Sequence, residues 1–187
     1  MSLQIDRMAL VRTIRPWDGV LYRDHTQDME AIEANFRLNF DNVDSVYVPV
    51  TNDDSAGRMA FYLAKVMKER GINTLTPDNP AFNELEDVID HTRVLPELAP
   101  QAIPLMLQLA NRAMNQSESL SSMFKNTFAR KRKVGNKALL VVTSEPFIVG
   151  TLRHQQAVRG VPHQEQTKLV QPGELVPVDI EAFTSPS

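Results

Sequence analysis

The chain has 187 residues, 42% of them apolar, a formal net charge of −3 and no cysteine. That length suits one compact domain, alone or with an appendage; the charge leaves no long-range field to select nucleic acid or an anionic membrane; and the lack of cysteine removes disulfides, thiolate metal sites and cysteine nucleophiles together. Histidines 25, 91, 154 and 163 are too scattered for a zinc pattern, no run approaches the roughly 18 apolar residues of a membrane span, and the opening Met-Ser-Leu-Gln-Ile-Asp is acidic where a signal peptide is basic, so a cytoplasmic protein with no membrane contact is expected.

In chain order, Ala-Leu-Val-Arg-Thr-Ile (9–14) and Val-Leu-Tyr-Arg (20–23) are β-like runs joined by a Pro-Trp-Asp-Gly turn, which predicts an N-terminal hairpin. From Thr26, Met29, Ile32, Phe36 and Phe40 recur at spacings of three and four, one face of a helix that ends near Asp41-Asn42. Ser45 to Val50 reads as a strand, and Pro49 predicts that it lies at an edge or ends early. Ala56 to Arg70 is a helix with Asp54 or Ser55 as cap, a Met59, Leu63, Val66, Met67 stripe and Gly71 as stop. Ile72 to Thr76 is a second strand, which completes a right-handed βαβ unit.

Pro80 opens a further helix with Phe82, Leu85 and Ile89 inward. Residues 104–128 read as helical in two pieces, with Leu105, Leu109, Ala113 and then Leu120, Met123, Phe124 as buried positions. Lys137 to Thr143 contains Ala-Leu-Leu-Val-Val, typical of a strand covered on both faces. A helix from about Thr151 to Arg159 follows, and residues 161–187 read as a flexible tail or extended arm. The expected fold is α/β: one domain over 1–160 with a small, mainly parallel sheet, flanking helices, a helical insert over about 80–128 and an N-terminal hairpin.

Ligands of such sheets bind beyond the carboxyl ends of the strands. Two loops qualify, Thr51 to Gly57 and Ser144 to Thr151, so Asn52, Asp54, Ser55, Gly57, Ser144 and Thr151 are the candidate ligand-binding residues. The plainer reading is that Asp54 and Ser55 only cap the helix and that Gly57 permits tight packing.

Val46-Tyr-Val-Pro-Val-Thr-Asn-Asp-Asp-Ser-Ala-Gly57, followed by a helix ending in Lys-Glu-Arg-Gly-Ile, resembles the first box of bacterial TIR domains. Ala138-Leu-Leu-Val-Val-Thr-Ser-Glu-Pro-Phe-Ile-Val-Gly-Thr-Leu-Arg-His-Gln-Gln-Ala157 resembles a later TIR segment, in which a helix carries the catalytic Glu. Matched through Ser144, Phe147 and Ile148, that Glu falls on Gln156. A TIR-type glycohydrolase uses the carboxylate on the ribose of NAD, and Gln carries no charge. The resemblance therefore implies a non-catalytic or weakly catalytic domain binding NAD, another nucleotide or a protein partner. It covers about a third of the chain, and nucleoside deoxyribosyltransferases share the architecture. Toprim domains carry Asp-x-Asp-x-Ala-Gly after a strand; Asp54, Ala56 and Gly57 match and Asn52 replaces the first Asp. That weaker resemblance implies Mg²⁺ at Asp54.

Lys125, Arg130, Lys131, Arg132, Lys133 and Lys137 form a basic run with no acid between Glu118 and Glu145, and Phe124 and Phe128 lie beside it. Phosphates of nucleic acid or an acidic protein are its candidate partners, against the plain alternative of a solvated loop. No Gly-x-Ser-x-Gly, Walker loop or dinucleotide fingerprint occurs. Three classes stay open: a nucleotide-type binding domain, a nucleic-acid-associated protein, and a self-associating assembly protein of a virus or mobile element.

Overall fold

The computed structural model describes residues 4–14, 25–75, 80–124, 136–161 and 169–184. Its elements are β1 (Ile5–Arg12), α1 (Thr26–Asn39), β2 (Val43–Tyr47), α2 (Asp54–Glu69), β3 (Asn73–Leu75), α3 (Pro80–Thr92), a 3₁₀ turn (Pro96–Leu98), α4 (Ala99–Phe124), β4 (Asn136–Thr143), α5 (Glu145–Val158), β5 (Leu175–Pro177) and α6 (Glu181–Thr184). The strands form one sheet in the order β3-β2-β4-β1-β5. The first four are parallel, and β5 runs antiparallel along β1.

Side chains alternate across the sheet as a period of two requires. Met8, Leu10, Tyr47, Leu139 and Val141 face one way, into a core closed by α3, α4 and α5. Ala9, Val11, Val46, Ala138, Leu140 and Val142 face the other way, onto α1 and α2. The result is three layers, the small mainly parallel α/β sheet expected from the sequence. The crossovers β1-α1-β2 and β2-α2-β3 move towards one edge and the later ones move back; with a single hand of crossover, the two sets of helices must lie on opposite faces.

β2 stops at Tyr47, two residues before Pro49, and lies between β3 and β4 rather than at an edge. The cap of α2 is Asp53, whose extended backbone lets its carboxylate accept the Ala56 N–H; Asp54 is already the first helical residue. α4 is one helix that runs through Pro104 rather than two pieces. The missing N–H removes one helical bond, while Ile103, Met106, Leu107, Ala110, Ala113 and Met114 keep an unbroken buried stripe across it. Leu105 faces outward, 40% exposed. α5 begins at Glu145, six residues earlier than expected, because Pro146 occupies its first turn, where a fixed φ favours the helix.

Both edges of β1 are taken along Ala9–Val11, by β4 and by β5. The second arm of the expected hairpin, residues 20–23, lies outside the described residues. Residues 169–184, within the expected tail or arm, supply β5 and α6 and bury Val170, Val176, Val178, Ala182 and Phe183 in the core on the α4–α5 side of the sheet.

Candidate functional site

β4 is flanked by two parallel strands whose following helices lie on the opposite face from α5. The chain diverges at the carboxyl end of β4 on both sides, and such switch points open crevices in α/β sheets. Between β1 and β4 there is a cleft of about 290 Å³ lined by Arg12 and Thr13, by Ser144, Glu145 and Pro146 at the start of α5, and by Val94 and Pro172.

Arg12 closes β1, and its guanidinium lies 3.2 Å from the Glu145 carboxylate, each side chain about a quarter exposed. It also donates to the Val170 carbonyl. Thr13 donates through both its N–H and its hydroxyl to the Thr143 carbonyl, at 2.9 and 3.0 Å. Ser144 stands at the cap position of α5, but its hydroxyl donates to the Arg93 carbonyl and makes no cap bond. The first turn of α5 therefore keeps N–H groups without a side-chain cap, aimed at the same end of the sheet.

The exit of β2 joins this region through the end of α3. Asp53 accepts the Ala56 N–H at 2.7 Å with one oxygen and pairs with Arg93 through the other. The Asn52 N–H donates to Asp90 at 3.1 Å. Arg93 thus touches both loops, its guanidinium on Asp53 and its carbonyl on Ser144. Asp53→Ala removes the cap and the ion pair together and is expected to lower stability by about 2 kcal/mol, read as a lower urea midpoint with the slope unchanged.

The oxygens Thr51 Oγ1, Asp90 Oδ1 and Thr143 Oγ1 are buried with no hydrogen-bond partner among the described residues. Burial, then the neighbouring Asp90 and Asp87 carboxylates, raises the Glu86 pKa above the usual carboxylate value. Burial and the Glu86 charge likewise raise that of Tyr47. Because the folded protein holds the Glu86 proton more tightly than the unfolded chain, this group favours folding below the unfolded carboxylate pKa and loses that contribution as pH rises through the folded value. Glu86→Gln is expected to raise stability at pH 7 by less than about 1 kcal/mol, since solvent screens the group, read as a higher melting temperature, and to give no gain at pH 4. A gain that persisted in acid would remove the electrostatic explanation.

The expected site residues separate into distinct environments. Ser144 lines the cleft and donates to Arg93 just past the end of α3, whereas Asn52 donates its N–H to Asp90 on α3 and does not line the cleft. Asp54 is exposed and Ser55 half-buried, and neither is the cap. Gly57 is buried where α2 crosses the Thr51 backbone. Thr151 is fully buried inside α5, its hydroxyl bonded to the Phe147 carbonyl at 2.9 Å, away from the cleft. Gln156 lies in the last turns of α5, about 18 Å along the helix from Ser144. Lys137 is part of β4 and only 8% exposed. Lys125, Arg130, Lys131, Arg132 and Lys133 lie outside the described residues.

Arg12, Thr13, Asp90 and Arg93 were not singled out by sequence reasoning. A charged residue that ends an apolar run, as Arg12 does, is the signal that marks a strand's carboxyl end. It is legible only once 9–12 is taken as a parallel strand. Among the described residues no three His, Asp or Glu side chains are grouped to hold a metal ion, and no helix is long and apolar enough to cross a membrane. Comparison with family models, with curated proteins and with solved structures finds no match to the chain.

Proposed function

We propose that the chain is a non-catalytic α/β domain that holds a small phosphate-bearing ligand of nucleotide type in the cleft between β1 and β4. The observation that carries this reading is the convergence of the Arg12 guanidinium and the uncapped first turn of α5 on one crevice. A guanidinium supplies paired donors to phosphate oxygens, and a helix N-terminus supplies N–H groups and a partial positive charge. Glu145 holds Arg12 in place, and a phosphate competes with it for the same donors.

The non-catalytic part rests on how the cleft hydroxyls are used. Thr13 and Ser144 both donate to main-chain carbonyls, and Glu145, the carboxylate that lines the cleft, pairs with Arg12. The TIR-like resemblance enters through its two boxes, Val46–Gly57 and Ala138–Ala157, the second of which contains the cleft residue Ser144. Gln156 has no part in the proposed contact.

The test is a thermal-shift and calorimetric series with inorganic phosphate, AMP, ADP and NAD on the wild-type chain and on Arg12→Ala. A ligand at a hundred times its Kd stabilises by about 2.7 kcal/mol, and losing a charged hydrogen-bond donor is expected to weaken binding about 10- to 100-fold. Magnesium with single-stranded DNA is the control for a nucleic-acid role. A series in which no phosphate compound shifts the melt, or in which Arg12→Ala binds as tightly as wild type, would reject the reading.

A further inference from the structure

On the far side of α3 from the sheet, a groove of about 340 Å³ runs between α3 and α4. Val88, Leu98, Ala102 and Leu105 form its apolar floor, with Asp87 and His91 at its rim. Glu84 lies one turn before Asp87 on α3, where it pairs with Arg112 of α4 at 3.7 Å, Glu97 adjoins Leu98, and all three carboxylates are exposed. An open apolar floor with an acidic rim fits a segment that presents large apolar side chains among cations.

The chain contains such a segment. Phe124-Lys-Asn-Thr-Phe-Ala-Arg-Lys-Arg-Lys133 places two phenylalanines four residues apart, the spacing of one helix face, among five positive charges with no acid. The two phenylalanines cannot reach the groove of their own chain. Leu105 and Phe124 are 19 residues apart on one continuous helix, about 28 Å. Phe128, four residues further on, extends at most about 14 Å back.

We propose that the α3–α4 groove receives segment 124–133 of a second copy of this chain, and that two copies exchange these segments reciprocally about a two-fold axis. A reciprocal exchange closes the assembly at two and uses each groove and each segment once. The contact is independent of the ligand cleft, so either proposal can fail alone.

The test combines sedimentation with a labelled synthetic peptide covering residues 122–135. The wild-type chain is expected to sediment as a dimer at about 0.05 M salt and to dissociate at about 0.5 M, where charges are screened beyond a few ångströms. Leu105→Glu, at a position already 40% exposed, is expected to be monomeric with an unchanged melt and to bind the peptide at least about tenfold more weakly. The combined variant Arg130→Gln, Lys131→Gln, Arg132→Gln and Lys133→Gln is expected to be monomeric yet to bind the wild-type peptide normally. Mixing the two variants should restore a one-to-one dimer through the single intact groove and single intact segment. A monomeric wild type, peptide binding that Leu105→Glu leaves unchanged, or a monomer that binds single-stranded RNA through the segment would each overturn the proposal; the last would assign the basic run to nucleic acid.

Discussion

Gly150→Ala is expected to destabilise the protein by about 3 kcal/mol, at the upper end of the overpacking range. In an exposed helix the same change is stabilising by about 1 kcal/mol, because alanine has the better helix propensity. Here the added Cβ would lie 2.2 Å from the Pro96 carbonyl oxygen and 2.7 Å from the Pro96 carbonyl carbon and Cα. All three atoms are main chain, so no side chain can turn aside; α5 or the Pro96–Leu98 turn must move as a body. Both belong to the packed face that also holds Phe147 and Ile148. For a chain of this size the loss corresponds to a melting temperature lower by about 6–12 °C. Moving the start of α5 also displaces Glu145 from Arg12, so the thermal shift with phosphate ligands should shrink in the same variant. A midpoint equal to or above wild type would show that the helix has room at this position.

Gly57→Ala is the second large effect, expected at about 2 kcal/mol. Its Cβ would meet the Thr51 carbonyl oxygen at 2.2 Å, but the next atoms, the Thr51 carbonyl carbon and nitrogen, are at 3.3 and 3.7 Å. Thr51 belongs to a loop rather than to a second helical element, so the clash is relieved by a smaller displacement than at Gly150. The loop also holds the end of α3, however. Gly57 donates its N–H to the Asp53 carbonyl at 2.7 Å, and Asp53 holds Arg93. Urea titration measures the stability change, and the Asp53→Ala variant provides the comparison: if both act by loosening the same turn, the double variant should lose less than the sum.

These two glycines show how far the sequence is readable. Gly57 stands where a strand breaks and a helix restarts, and tight packing there is one reading of the sequence; the structure shows that the close neighbour is Thr51, six residues away. Gly150 sits unremarked within a helix, and the atom that forbids a side chain there is 54 residues away in sequence. The capping of α2 falls between these cases. Asp53, Asp54 and Ser55 are all suitable caps, and Asp53 is chosen because its backbone is extended and its second oxygen meets Arg93. Pro146 marks the start of α5 locally, six residues ahead of the expected Thr151.

The strand–helix–strand unit over residues 43–75, the doubly covered strand β4 and the α/β class are written in the sequence alone. Period, caps and breakers act within one turn or one strand, so they are written locally. Packing between distant elements set the rest: β4 lies between β1 and β2, a segment with little periodicity becomes β5, and Arg12 and Arg93 come to the carboxyl end of the sheet. Those outcomes depend on which free edge and which uncovered face remain after distant elements have packed. A free edge of β1 offers N–H and C=O groups to Leu175–Pro177, and no local pattern in residues 169–178 records that this partner exists.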